Sequence, residues 1–405
     1  MNRRQFLASL VTGASTLALV QRAQAALRTM KITRVRFYRD PRSRPIFNQS
    51  SHVVTVETDA GITGIGEGGS VETVRQCAAM IIGESPSRIE HLWQLMYRGY
   101  FYPPGREKIH ALGALDLALW DIKGKALDVP VYELLGGLSH EHLECYSTGF
   151  PGRGSLTDRA RACIDAGFRA FRTSVSGAER NRPFNARHAV RRTYEQCKQI
   201  REGVGENGDW CIDYHTRLDL ADAIRLSTLI EDLEPYFVED LVRSENPSVY
   251  KQVRPQVKVP IAVGEHFGDR WDINELIEQR LIDYSRVSLP NAGGLTEFMK
   301  IAALCETHYV GLTPHFTGPI SVAALVHACA VFPGPVMVEM RGDGTNNLPH
   351  LPHHSDFRDG KLWPNRRPGL GVELDTSPLQ LETEITERSR PIPLFRRPDG
   401  SITNW

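Results

Sequence analysis

Trp210-Cys211-Ile212-Asp213, Tyr236-Phe237-Val238-Glu239 and Ile261-Ala262-Val263-Gly264-Glu265 are three short apolar runs, each ending on a carboxylate, with the acids 26 residues apart at positions 213, 239 and 265. Amphipathic stretches such as Ala221 to Leu233 lie between, which is the rhythm of strand, helix, strand. In a parallel barrel every strand points the same way, so acids at equivalent strand ends converge on one mouth, where like charges repel unless a hard divalent cation sits among them. One such acid would read as a solvated strand end. Three at one period point to a metal site. His215 follows Asp213 by two residues, and period-two alternation places both on the same side of the strand.

Outward from this stretch the rhythm continues. The runs Leu143–Ser147, Ala170–Val175, Trp210–His215, Phe237–Glu239, Ile261–Glu265, Tyr284–Ser288, Val310–His315 and Val336–Met340 number eight, as a (β/α)8 barrel requires. Upstream, Lys31–Tyr38 and His52–Thr58 alternate and meet the turn Asp59-Ala60-Gly61, which predicts an antiparallel sheet; helical patterns cover Val71–Ile82 and Ile109–Leu127. The fold expected is therefore α/β, a modified (β/α)8 barrel of the TIM type over 141–345, with an N-terminal α+β capping domain over 26–140. Gly64-Ile65-Gly66 follows a hairpin rather than opening a βαβ unit, which argues against a phosphate loop.

The chain has 405 residues, 41% hydrophobic and 24% charged, enough for one barrel and a smaller domain. Its 48 basic and 48 acidic side chains cancel, giving no electrostatic reason to expect nucleic acid or a membrane surface as partner. Asn2-Arg3-Arg4-Gln5-Phe6-Leu7 opens an apolar run to Val20 that ends at Ala23-Gln24-Ala25, the pattern of a twin-arginine export signal over 1–25. The run is too short and too rich in Ser, Thr and Gly to span a bilayer, so no membrane anchor is expected in the mature chain and its expected location is the periplasm. Seven cysteines without a CxxC pair read as buried thiols, which a protein exported in the folded state can keep.

The helix Ala111-Leu112-Gly113-Ala114-Leu115-Asp116-Leu117-Ala118-Leu119-Trp120-Asp121-Ile122-Lys123-Gly124-Lys125, running on to Pro130-Val131-Tyr132-Glu133-Leu134-Leu135-Gly136-Gly137, carries apolar positions 111, 115, 118, 119 and 122 on one face. Residue for residue it resembles the characteristic helix of the mandelate racemase and muconate lactonising group of the enolase superfamily. The resemblance covers about residues 30 to 375. The tail around Gly360–Pro364 and Pro368–Val372 resembles the segment that in this family returns to the capping domain, here 346–405.

The resemblance implies that Asp213, Glu239 and Glu265 hold Mg²⁺ and that the substrate is a carboxylate whose α-proton is removed to give an enediolate. An α-proton of a carboxylate is too weakly acidic for a side-chain base unless the developing dianion is neutralised. Racemase-like members carry Lys-x-Lys on the second barrel strand, where this chain has Arg172 and Ser174. What remains is His215, His315 in Thr313-Pro314-His315, and Glu339 in Met337-Val338-Glu339, a set similar to that of the galactonate dehydratases and related sugar-acid dehydratases, shared in part by mannonate dehydratases.

Two histidines on opposite sides suit dehydration, His315 as base toward the α-proton and His215 as acid toward the departing β-hydroxyl. Glu339 would hydrogen-bond the substrate carboxylate, or stabilise the enediolate if protonated. Ser288 stands where the galactonate dehydratase pattern has an aspartate that orients the seventh-strand histidine, and a serine supplies no charge. Tyr146 and Arg172 at the barrel floor, with Arg44–Ser51 and Tyr97–Gly105 of the capping domain, are expected to shape the site for a small acid sugar. His350, His353 and His354 read as loop residues. A homo-oligomer is expected. The rival readings are a racemase, epimerase or cycloisomerase of another carboxylate, and a sugar-acid binding protein without catalysis.

Overall fold

The computed structural model of the chain describes residues 29–41, 52–176, 183–345, 348–389 and 394–403. The export signal and the Arg44–Ser51 stretch fall outside these residues. Strands β1 (Ile32–Arg39), β2 (Val53–Thr58) and β3 (Thr63–Glu67) form an antiparallel meander, followed by helices α1 (Val71–Ile81), α2 (Ile89–Arg98) and α3 (Arg106–Leu127). β1 also pairs antiparallel with the strand Gln380–Ile385 near the C-terminus, so the tail supplies an edge of this capping sheet.

Helix α3 departs from the expected one-sided pattern. It is buried almost all round from Ile109 to Leu119, because it packs on β3 with one face and on the barrel with the other. The glycines of β3 make that possible: a Cβ at Gly64 or Gly66 would run into the carbonyl of Ala118 or Ala114. Their role is close helix approach, not phosphate binding.

The barrel strands are β4 (Leu143–Thr148), β5 (Ala170–Ser174), β6 (Asp209–Asp213), β7 (Phe237–Glu239), β8 (Ile261–Val263), β9 (Tyr284–Ser285), β10 (Gly311–Leu312) and β11 (Val338–Arg341). Neighbours from β4 to β10 pair in parallel, and β11 pairs in parallel with β4. The ring closes through Leu312, whose N–H donates to Pro335 (2.9 Å) and whose carbonyl accepts from Met337 N–H (3.0 Å). All eight expected strands are present. Pairing stops two or three residues before His215, Glu265, Ser288 and His315, where the backbone turns out of the ring; His215 and Thr216 take φ of 45° and 53°. The C-terminal segment divides, since β12 (Asp356–Arg358) and β13 (Lys361–Trp363) form a hairpin on β4, while the final strand, β14 (Gln380–Ile385), joins the capping sheet.

Inside the ring the period-two alternation makes layers. Tyr146, Ala170, Cys211, Phe237, Ala262 and Met337 form an apolar floor. Two residues further along the same strands stand Thr148, Arg172, Asp213, Glu239, Gly264 and Glu339, so the charged site rests directly on packed hydrophobic side chains. All seven cysteines are free and buried, as expected from their scatter. Among the described residues no helix is long and apolar enough to cross a membrane.

Candidate active site

Asp213 and Glu239 are lateral partners on β6 and β7, and Glu265 lies just past the end of β8. Asp213 and Glu239 are fully buried and Glu265 is partly so, and none is isolated. Arg172 on β5 pairs with Asp213 and donates its Nε to Glu239 Oε2 at 3.2 Å. Arg286, fully buried just past β9, reaches Glu239, Glu265 Oε2 (3.2 Å) and Glu339 Oε2 (2.7 Å), and donates to the Tyr146 hydroxyl. The expected triad of acids is thus brought together as part of a larger network with two guanidinium groups.

Asp240 and His266, the residues directly after Glu239 and Glu265, complete the cluster. Single ligand atoms of Asp240, Glu265 and His266 all lie within 4.8 Å of one another, a tighter group than the expected triad, with which it shares Glu265. Asp240 is 2% exposed and takes φ of 44°, and its Oδ2 is buried without a hydrogen-bond partner. A non-glycine residue in the left-handed region is strained, which the surrounding structure must hold in place.

The electrostatics follow from counting charges. Asp213, Glu239, Asp240, Glu265 and Glu339 face two arginines, a formal excess of three negative charges in a water-poor mouth. Burial raises Glu239 well above the carboxylate range against the pull of Arg172 and Arg286, and it raises Asp240 to about 7 with Glu265 adding to the effect. An oxygen-rich donor set, an orphaned carboxylate oxygen and an excess of negative charge are what a hard divalent cation satisfies. The residues present fit Mg²⁺.

Glu339 behaves differently. Burial opposes its ionisation, but Arg286 and Arg172 outweigh that and hold it at about 2. The two guanidinium groups thus favour its carboxylate form. Tyr146 is likewise no open lining residue: it is fully buried, packs edge-on to Phe237 and meets Arg286.

The two histidines stand at opposite ends of the acid row. His215 Nε2 lies 2.5 Å from Asp213 Oδ2, and His315 Nε2 lies 3.4 Å from Glu265 Oε2. His215 reaches the aspartate through the left-handed turn that follows β6, not by alternation along a strand, since β6 ends at Asp213. Ser288 Oγ sits 2.7 Å from His315 Nδ1. Burial depresses the His315 pKa, although Glu265 and Glu339 pull the other way, so its imidazole is neutral at physiological pH.

From the capping side, Tyr97 donates to Asp269 (2.9 Å), and Arg106 bridges Asp272 (2.8 Å), in the first turn of the helix Arg270–Glu278, and Ser244 (2.8 Å). His350 is buried near Asp40, and with His353 and His354 it lies in the loop expected for it.

Sequence reasoning missed Arg286, Asp240 and His266. Arg286 was within reach, because it precedes Ser288 by two residues and follows Tyr284 by two.

Residues 33–136 match the N-terminal domain of the mandelate racemase / muconate lactonizing enzymes, and residues 155–377 match the enolase C-terminal domain-like family. D-galactonate dehydratase of Xanthomonas oryzae pv. oryzae is 36% identical over 392 residues, covering 93% of this chain and 100% of that one. D-galactonate dehydratase of Ralstonia pickettii is also 36% identical, over 400 residues, with the same coverage of 93% and 100%. Among solved structures, a member of the enolase superfamily from Salmonella Typhimurium superimposes with a TM-score of 0.79 at 27% identity, over 88% of this chain and 99% of that one. An enolase from Pantoea ananatis with bound D-gluconate and Mg superimposes with a TM-score of 0.75 at 26% identity, over 86% and 94%.

Proposed function

The chain belongs to the mandelate racemase and muconate lactonizing group of the enolase superfamily and is a hydro-lyase of the sugar-acid dehydratase type, and from that premise we propose that it removes water from an aldonate in a Mg²⁺-dependent β-elimination. The observation that carries this reading is the placement of two imidazoles at the two ends of one acid row, His215 on Asp213 and His315 on Glu265. A binding protein has no use for an acid–base pair at that position.

Asp213, Glu239 and Glu265 would hold the cation, with Asp240 beside them. When bound, Mg²⁺ supplies the charge that stabilises the enediolate. His315, neutral and buried, takes the proton from the carbon next to the carboxylate, with Ser288 fixing its ring. His215, half-buried at the other end, gives a proton to the β-hydroxyl as the C–O bond breaks, and the resulting enol rearranges to the 2-keto-3-deoxy acid. Arg172 and Arg286 hold the carboxylates of the barrel layer in place.

Galactonate and gluconate are the first candidates, because relatives are named for one and a structural neighbour holds the other. Incubating a panel of aldonates with the purified protein, with Mg²⁺ and with chelator, and measuring 2-keto product tests the reading. Product from none of them, or equal product under chelation, would overturn it. The leader remains part of the proposal: the mature chain begins at Ala26 in the periplasm, and residues 1–25 found by mass spectrometry on protein from the native host would contradict that. So does the homo-oligomer, which light scattering of the purified chain reads directly.

A further inference from the structure

Two barrel helices follow the loops that carry Ser288 and His315: α4 (Leu295–Thr307) and α5 (Pro319–Val331). Both begin at a glycine, Gly294 and Gly318, which has no side chain to bond the free N–H groups of the first turn. In each case a buried carboxylate from the capping domain supplies the missing acceptor. Glu67, the last residue of β3, accepts from Ser321 N–H (2.9 Å) and Ser321 Oγ (2.9 Å) at the start of α5. Asp116 of α3 accepts from Thr296 N–H (3.0 Å) and Thr296 Oγ (2.5 Å) at the start of α4.

The glycines are required by the same contacts. A Cβ at Gly318 would strike the Glu67 carboxylate, and one at Gly294 would strike Asp116, with Gly294 also at φ of 88°. Around them the seam is continuous: Trp93 Nε1 donates to Gly293 O (2.8 Å), and Trp120 Nε1 to Thr296 Oγ (2.9 Å). Ser321 lies six positions after His315, and Thr296 eight positions after Ser288 in a span that is buried throughout.

We infer that Glu67 and Asp116 are positioning residues for the acid–base machinery, capping α5 and α4 from the other domain and thereby setting the distance between Ser288 and His315. The capping domain then completes the catalytic pair as well as covering the mouth. Each carboxylate holds the far end of the loop whose near end carries one member of the pair. Loss of a cap lets the first turn of the helix fray, and the slack is taken up in the loop that places the imidazole. A misplacement of this kind slows the chemical step more than it weakens substrate binding.

The kinetic part of the test rests on the dehydratase reading, and the spectroscopic part does not. The full chain in Mg²⁺ buffer is compared with Glu67→Ala, Glu67→Gln, Ser288→Ala and the double variant Glu67→Ala/Ser288→Ala. Glu67→Ala should lower kcat about tenfold with KM nearly unchanged, Glu67→Gln should restore most of it, and the double variant should lose little beyond Ser288→Ala, because both changes act through one imidazole.

Nitrogen NMR of histidine-labelled protein, with His315 assigned from His315→Asn, should show its ring signals moved in Glu67→Ala and restored in Glu67→Gln at unchanged circular dichroism. Should Glu67→Ala fail to fold, Ser321→Ala takes its place with a smaller effect in the same direction. Unmoved His315 signals in a folded variant, or losses that simply multiply in the double variant, overturn the inference. A wild-type protein that dehydrates no acid sugar overturns the functional reading alone, and the NMR comparison still decides this one.

Discussion

Ser288 Oγ lies 2.7 Å from His315 Nδ1, with Ser288 fully buried and the imidazole nearly so. A hydroxyl in this place orients the ring without charging it, so His315 keeps the depressed basicity that its burial imposes. Removing the hydroxyl in Ser288→Ala leaves a buried ring nitrogen unpaired and should cost about tenfold in kcat, in line with ~1–2 kcal/mol for such a group. Ser288→Asp places a carboxylate there, which favours the imidazolium and raises the His315 pKa. Since the base works in its neutral form, the acid limb of the kcat/KM profile should move to higher pH. A profile unmoved in Ser288→Asp would show that His315 is not the group titrating in it.

Arg286 offers a test of what holds the charged layer together. It is fully buried among Glu239, Glu265 and Glu339, and removing one partner of a buried ionic network typically costs ~3–5 kcal/mol because uncompensated charge is left behind. Arg286→Met should therefore lower stability by that order in denaturant titrations without metal, and added Mg²⁺ should recover part of the loss by replacing the missing positive charge. Wild-type stability in the metal-free variant would remove Arg286 from this role.

Glu239→Gln separates ligand from scaffold. Glu239 ends β7 above the apolar floor and takes no part in core packing, so the variant should fold, bind Mg²⁺ more weakly by calorimetry and turn over no substrate. An unaltered rate with Mg²⁺ still required would exclude it from the ligand set.

The acids and histidines were legible in the sequence because each closes or follows an apolar run, and a run of four residues is enough to mark a strand end. The same local signal reaches Arg286 only through the two-residue steps from Tyr284 to Ser288, and it could not tell that α3 is buried on both faces, since that depends on a second partner supplied by the barrel. Glu67 and Asp116 were out of reach for a different reason. Their partners lie 254 and 180 residues away, and periodicity carries no information about contacts across a domain boundary. The metal-compatible group of Asp240, Glu265 and His266 depends on a turn into the left-handed region at Asp240, which aspartate tolerates better than most residues but does not announce.

Glu67 and Asp116 also give the fold a pH dependence. Burial raises both to about 7, from ordinary values of 4.5 and 3.8, against the hydrogen bonds from Ser321 and Thr296. A carboxyl whose pKa rises on folding binds its proton more tightly in the folded state, so its contribution is present in full below the unfolded pKa and is lost as pH rises toward 7. Denaturant midpoints should therefore fall between pH 5 and pH 8. Glu67→Gln, which cannot ionise, should flatten that slope; a slope equal to that of the wild type would mean that Glu67 is ionised throughout.

The two histidines should separate in isotope exchange. His315 meets the Glu265 end of the acid row and His215 the Asp213 end, so the two imidazoles address different sides of a substrate lying across the row. If His315 is the base, His315→Asn blocks exchange of the substrate α-proton with solvent deuterium. His215→Asn slows elimination while exchange stays measurable, because removal of the α-proton does not depend on the group that protonates the leaving hydroxyl. His315 is neutral, buried and fixed by Ser288, as a base requires, whereas His215 is half-exposed and held to Asp213, in place to deliver a proton and recover it from solvent. Exchange followed by proton NMR in D2O, before any keto acid accumulates, reads the first step alone. Exchange that survives His315→Asn and vanishes in His215→Asn would reverse the assignment of base and acid.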